Sequence, residues 1–161
     1  MDSKRSQGNA DSAAQATGVR VASWIARIAL IVVFVVNVQC ALGFVFNPEG
    51  FVGAYELSGD VGAAAIQGLG IAFLMWNATY PLPIVNPSKH RALFGVVLAQ
   101  QVIGIAGELF VLSQLPAGHA VLEQSIHRFC DFDLFGLAIM GASFVLLLVL
   151  EKRTGKRTES L

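Results

Sequence analysis

Charge is what this chain lacks most: only 14% of its 161 residues are Asp, Glu, Lys or Arg, against about 25% in an average soluble domain. So sparse a set of charges cannot cover the surface of a water-soluble fold of this size. The net charge is zero, which leaves no basic surplus for contacting nucleic-acid phosphates, and nucleic acid is excluded as a partner. Cysteine is nearly absent as well. Cys40 and Cys130 do not form a C-x-x-C pair, which argues against a membrane thiol-disulfide oxidoreductase. The three histidines, His90, His119 and His127, all fall outside the apolar stretches, so none is available as a haem ligand in a membrane interior.

What the chain has instead is length of apolar sequence. Hydrophobic residues make up 55% of it, in runs long enough to cross a bilayer. A spanning helix needs about 20 apolar residues, because the hydrocarbon core is about 30 Å thick and each helical residue rises about 1.5 Å. Four runs meet that length: Ile28 to Phe46, Val61 to Tyr80, Ala92 to Leu112, and Leu134 to Leu150, the last extended toward its start through Phe129 and Ile126. Backbone groups in lipid must be paired within the segment, which selects helices over strands. The expected fold is all-α, a transmembrane four-helix up-down bundle occupying residues 19–151. A disordered tail (residues 1–18) precedes it and a basic tail (residues 152–161) follows.

Alternating the spans puts ten of the 11 Lys and Arg residues on one face of the membrane. By the positive-inside rule that face is cytoplasmic and carries both termini. Only Arg128 lies opposite, among the acidic loop residues Glu49, Glu56, Asp60 and Glu123. A cleaved signal peptide is disfavoured for the first run, which exceeds the usual apolar core of such a leader and ends without a small-x-small site. Arg20, Trp24 and Arg27 are expected in the interfacial first turns, with Trp76 and Tyr80 at the same aromatic level. Pro81, Pro83 and Pro87 are expected to make a stiff connection to the third span.

Small residues recur along three spans: Gly62 to Ala65, Gly68, Gly70 and Ala72; Gly95, Ala99, Gly104 and Gly107; Gly136, Ala138, Gly141 and Ala142. In lipid, where apolar burial gives little preference, such residues let helices approach closely.

Ionisable groups within spans are costly and mark candidate sites. Glu108 lies about one turn inside the third span, and Gln101, seven residues earlier, shares its helical face near Gly104. Asn37, Gln67, Gln100 and Cys40 lie at comparable or greater depths, while Arg128, Asp131 and Asp133 enter at the start of the fourth span. One reading is an outward-facing binding cavity. The better-supported alternative at this level is an Arg128 partner for Glu108, with the amides fixing helix register. His119, Glu123, His127 and Asp131 recur every fourth residue, a weak metal-ligand pattern short of H-E-x-x-H. A Cys40–Cys130 bridge is one pairing; two buried thiols are favoured. Asn77-Ala78-Thr79 matches a glycosylation sequon, but its place at the inner membrane edge deprives it of meaning.

The four-span layout, Asn47-Pro48-Glu49-Gly50-Phe51, Met75-Trp76-Asn77-Ala78-Thr79-Tyr80-Pro81 and Gln100-Gln101-Val102-Ile103-Gly104 through Glu108 together resemble the DoxX-like small membrane proteins, in particular their BphX-like branch, over residues 20 to 150. The resemblance implies a four-helix protein of the bacterial inner membrane. Some members are associated with quinone-linked oxidation of sulfur compounds, and many have no assigned activity. Gln67 stands where many relatives carry a basic residue, and no catalytic motif transfers. Three functions are therefore expected in competition. The leading one is a non-catalytic or accessory subunit with a membrane-protein partner or a second copy of itself, and the other two are its alternatives. The second is a small-molecule or proton-linked transporter or binding protein around Glu108, and the third a quinone-linked oxidoreductase component.

Overall fold

The computed structural model describes the backbone of residues 2–158 and the side chains of residues 13–154. Among the described residues there is no strand. The helices are α1 (Asp2–Phe46), α2 (Glu49–Val52), α3 (Gly59–Asn77), α4 (Pro81–Val85), α5 (Arg91–Gln114) and α6 (Ala120–Thr158), with a 3₁₀ turn at Gly53–Tyr55 after α2. Four of them, α1, α3, α5 and α6, are long and apolar enough to span a membrane.

The described spans begin earlier than expected in α1 and α6. The helix of α1 passes through residues 13–18, within the stretch expected as an irregular tail; Ala13, Ala14 and Ala16 are strong helix formers, and Thr17 Oγ1 donates to the Ala13 carbonyl at 2.9 Å. The α6 helix starts at Ala120, so the extension expected through Phe129 and Ile126 is part of a longer element. Met1 and residues 159–161 of the two expected tails lie outside the described residues.

Helix α1 packs along α3 on one side and α6 on the other, and α6 packs in turn on α5. The neighbours thus run α3, α1, α6, α5. The backbones of α3 and α5, consecutive spans in the chain, hardly approach each other, so the ring is open between them and bridged by side chains. Helices α1 and α3 approach closely at Gly70, where a Cβ would stand 2.8 Å from the Ala41 carbonyl oxygen and 2.8 Å from Phe44 Cβ.

The α3–α5 connection lies at one end of the bundle. Instead of a stiff irregular link, Pro81 to Val85 form the short helix α4, with proline at its first position, where the missing N–H costs no hydrogen bond. This helix packs on α1 and α5, and Tyr80, which precedes it, is completely buried. Tyr80 is therefore a core residue beside Leu30, Val33, Phe94, Val97 and Met140, not the interfacial aromatic expected from its position. At the same end Arg27 lies over the Trp24 ring at 5.0 Å, and Arg91 pairs with Glu151 at 3.2 Å, joining the start of α5 to α6.

The other end is capped by the segment between α1 and α3. Phe44 and Phe51 meet edge to face at 4.7 Å, and Tyr55, Phe73 and Phe129 complete an aromatic cluster linking that segment to α1, α3 and α6.

Candidate functional site

Because α3 and α5 stand apart, the space between them persists as a cavity of about 450 Å³. Its back is formed by Asn37 of α1 and by Ile126, Phe129 and Asp133 of α6. Leu69, Phe73, Trp76 and Asn77 line the α3 side, Gln101, Ile103, Gly104, Gly107, Glu108 and Val111 the α5 side, and Tyr55 stands at the capped end. Ile103 lines the cavity yet is 66% exposed, so the opening faces sideways, toward the surface that lipid covers in a spanning helix. No Lys, Arg or His contributes to the lining.

Glycine makes room for the polar groups. A Cβ at Gly104 would fall 2.8 Å from Asp133 Oδ2 and 3.4 Å from the Trp76 ring, so the missing side chain admits both the carboxylate of α6 and the indole reaching over from α3. A Cβ at Gly136 would stand 3.2 Å from Gln101 Nε2. The small residues expected to bring helices together therefore divide by role. Gly70 does so, Gly104 and Gly136 instead house polar side chains, and Gly68, Gly95, Gly107 and Gly141 have nothing within 4 Å that a Cβ would meet.

The hydrogen bonds orient the amides. Gln101, 2% exposed, directs Nε2 to the Tyr80 hydroxyl at 3.5 Å, the outer limit of hydrogen-bonding distance. Asn77, 4% exposed, donates Nδ2 to the Phe73 carbonyl at 2.8 Å. A carbonyl only accepts, so this bond fixes the amide orientation and leaves Asn77 Oδ1 facing the other way, buried and without a partner. Glu108 Oε2 is likewise buried without a hydrogen-bond partner, although the Cys130 thiol approaches the Glu108 carboxyl. Thr79 Oγ1 donates to Gln100 Oε1 at 2.9 Å, tying the end of α3 to α5 beyond the cavity.

Of the binding residues expected from sequence, Asn37, Gln101, Glu108 and Asp133 meet in this one cavity. Three do not. Gln67 is on an exposed face and donates Nε2 to the Val45 carbonyl at 3.1 Å, tying α3 to α1. Arg128 is exposed and donates to Ser125 Oγ at 3.3 Å, one turn back on its own helix; it forms no ion pair with Glu108, which corrects the expected pairing. Asp131 is exposed and points away, as the helical period requires of a residue two positions from Asp133. Cys40 and Cys130 are free thiols, not a bridge.

The four-residue series of metal-ligand types is also dispersed. His119 Nδ1 pairs with Glu56 of the capping segment, and His127 Nε2 lies 3.8 Å from Glu123 Oε1, both of these side chains being more than half exposed. Among the described residues no group of three or more His, Cys, Asp or Glu is arranged to hold a metal ion. The pull on His119 comes from Glu56, which also accepts the Leu122 backbone N–H at 3.2 Å; Ser125 Oγ adds a 2.7 Å bond to the Ala54 carbonyl. Glu56 has a left-handed backbone (φ 54°), and its hydrogen bonds to His119 and Leu122 hold its carboxyl below the ordinary carboxylate range.

The sequence placed Trp76 at the membrane interface and Asn77 in a sequon without meaning, and gave no sign of Tyr55; all three line the cavity. An amide beside a tryptophan near the end of a span was a legible polar signal in the case of Asn77, masked by a span drawn three residues too long. Compared with protein-family models, curated proteins and solved structures, the chain matches none.

Proposed function

We propose that this protein binds a lipid-soluble small molecule in the cavity between α3 and α5, as a membrane binding or transport protein with no catalytic centre of its own. The supporting observation is the cavity itself: about 450 Å³, mainly apolar, with Asn37, Asn77, Gln101, Glu108 and Asp133 converging on it from four helices. Concave, largely apolar pockets with a few convergent polar groups are the usual form of a small-molecule site. Leaving buried acceptors unpaired costs about 1–3 kcal/mol each, a cost that a bound donor relieves.

The sideways opening, marked by the exposed Ile103 in the lining, suits entry from the bilayer. In this reading the spans alternate up and down with both termini cytoplasmic, the arrangement favoured by the distribution of Lys and Arg. A bacterial inner membrane is the setting implied by the DoxX-like resemblance. The accessory-subunit reading would draw on Gly68, Gly95 and Gly141, which leave open space at the helix surfaces.

A hydrophobic diazirine photolabel tests the proposal. Irradiation of the membrane-embedded protein should modify peptides carrying Phe73, Trp76 and Ile103, with labelling reduced in Gly104→Phe, where the new ring fills the cavity. Labelling confined to outward residues such as Val61, Phe110 and Val145, and unchanged by the substitution, would contradict it.

A further inference from the structure

We infer that the ligand of this cavity is a lipophilic amine: an alkyl chain or ring system for the apolar walls, carrying a protonated nitrogen that donates hydrogen bonds to Glu108, Asp133 and Asn77. The inference rests on the cavity reading and adds the chemical class of the occupant.

It starts from the direction of the hydrogen-bonding groups. The amide donors are turned into the protein: Asn77 Nδ2 to the Phe73 carbonyl and Gln101 Nε2 to the Tyr80 hydroxyl. Among the groups left over, two acceptors have no partner in the protein. Asn77 Oδ1 and Glu108 Oε2 are both buried and unpartnered, and Asp133 contributes a second carboxyl to the same lining, its Oδ2 seated in the space that Gly104 leaves. No cation of the protein answers them, since the lining holds no Lys, Arg or His and the nearest candidate in sequence, Arg128, is exposed and bonded to Ser125.

Acceptors and acids without a protein cation call for a ligand rich in donors and carrying positive charge. An ammonium group has up to three N–H donors and no acceptor, as a lysine head does. Trp76 adds an aromatic surface suited to a cation. A quinone is the opposite chemistry: its carbonyls only accept, so they cannot pair with Asn77 Oδ1 or Glu108 Oε2.

Isothermal titration calorimetry of protein in nanodiscs, with empty nanodiscs subtracted, separates these cases using three probes of matched chain length: octylamine, octanol and octyl-benzoquinone. Octylamine is expected to bind saturably and at least about tenfold more tightly than either neutral probe, the factor that one charge-assisted hydrogen bond supplies. The Glu108→Gln/Asp133→Asn double variant should lose that advantage while keeping its thermal unfolding temperature. If the double variant fails to fold, Asn77→Leu, which removes the orphan acceptor together with the amide's bond to the Phe73 carbonyl and leaves both carboxyls in place, serves instead. Glu123→Gln, at an exposed carboxylate outside the cavity, should leave amine affinity unchanged. Equal or tighter binding of octanol or the quinone, lost in Gly104→Phe, would overturn the amine assignment and leave the cavity reading standing. Saturable binding by none of the probes would overturn both.

Discussion

At Gly70 and Gly104 the same residue type does opposite work, and substitution by alanine should separate the two. A Cβ at Gly70 meets backbone and Cβ atoms of α1, which cannot swing aside. Gly70→Ala should therefore destabilise the bundle by about 1–3 kcal/mol, visible as a lowered unfolding temperature in detergent. At Gly104 the atom met first is the end of the Asp133 side chain, which can rotate away. Gly104→Ala should leave the unfolding temperature nearly unchanged and weaken ligand binding. Gly107→Ala and Gly141→Ala, where the new methyl group meets nothing, should be neutral or stabilising by up to about 1 kcal/mol through helix propensity. Equal losses at all four positions would contradict this division. Glu108 and Gln101 were legible as site residues from their seven-residue spacing within an apolar run. Which glycine accommodates a neighbour was not legible, because spacing along one helix carries no information about the side chain opposite.

The helices were the most legible part of the molecule, since apolar length alone locates four spans. Their ends were less so. Helix α4 escaped notice because three prolines in seven residues read as an irregular link, whereas proline at the first position of a helix is compatible with it. The contact between the capping segment and the start of α6 was equally hidden, because Glu56 and His119 are 63 residues apart and only the fold brings them together. That contact has a pH signature. Folding lowers the Glu56 carboxyl from its ordinary value, so its stabilisation is fully present above the unfolded value of about 4.3 and is lost as pH falls through the lower folded value. The Leu122 amide, whose N–H donates to Glu56, should keep its hydrogen-exchange protection factor near neutrality and lose it in that acid range. Glu56→Gln, which keeps an acceptor but removes the charge, should show reduced protection at all pH values. Protection that is independent of both pH and the substitution would mean that α6 alone holds this amide.

For the molecule as a whole, the order of helix neighbours decides more than the helices themselves. A closed ring would pack α3 against α5 and bury Asn77, Glu108 and Asp133 against one another. The open ring instead leaves a cavity between α3 and α5, with Tyr55 of the capping segment at one end. None of this was legible from the sequence, where short connections suggest a symmetrical bundle and give no sign of which adjacent pair stands apart. Sidedness is a matter of charge and is tested separately. In a chain with Cys40 and Cys130 replaced by serine, a membrane-impermeant maleimide should label the Glu123→Cys variant in intact cells, and the Lys89→Cys variant only after lysis. The reverse pattern would invert the proposed topology. The central claim is that the space between α3 and α5 holds a small molecule, and native mass spectrometry of protein gently extracted from its own membrane tests it most directly. The wild-type chain should carry a small-molecule adduct of defined mass that Gly104→Phe does not retain. A chain that flies without any adduct, or an adduct retained equally by the filled variant, would contradict the claim.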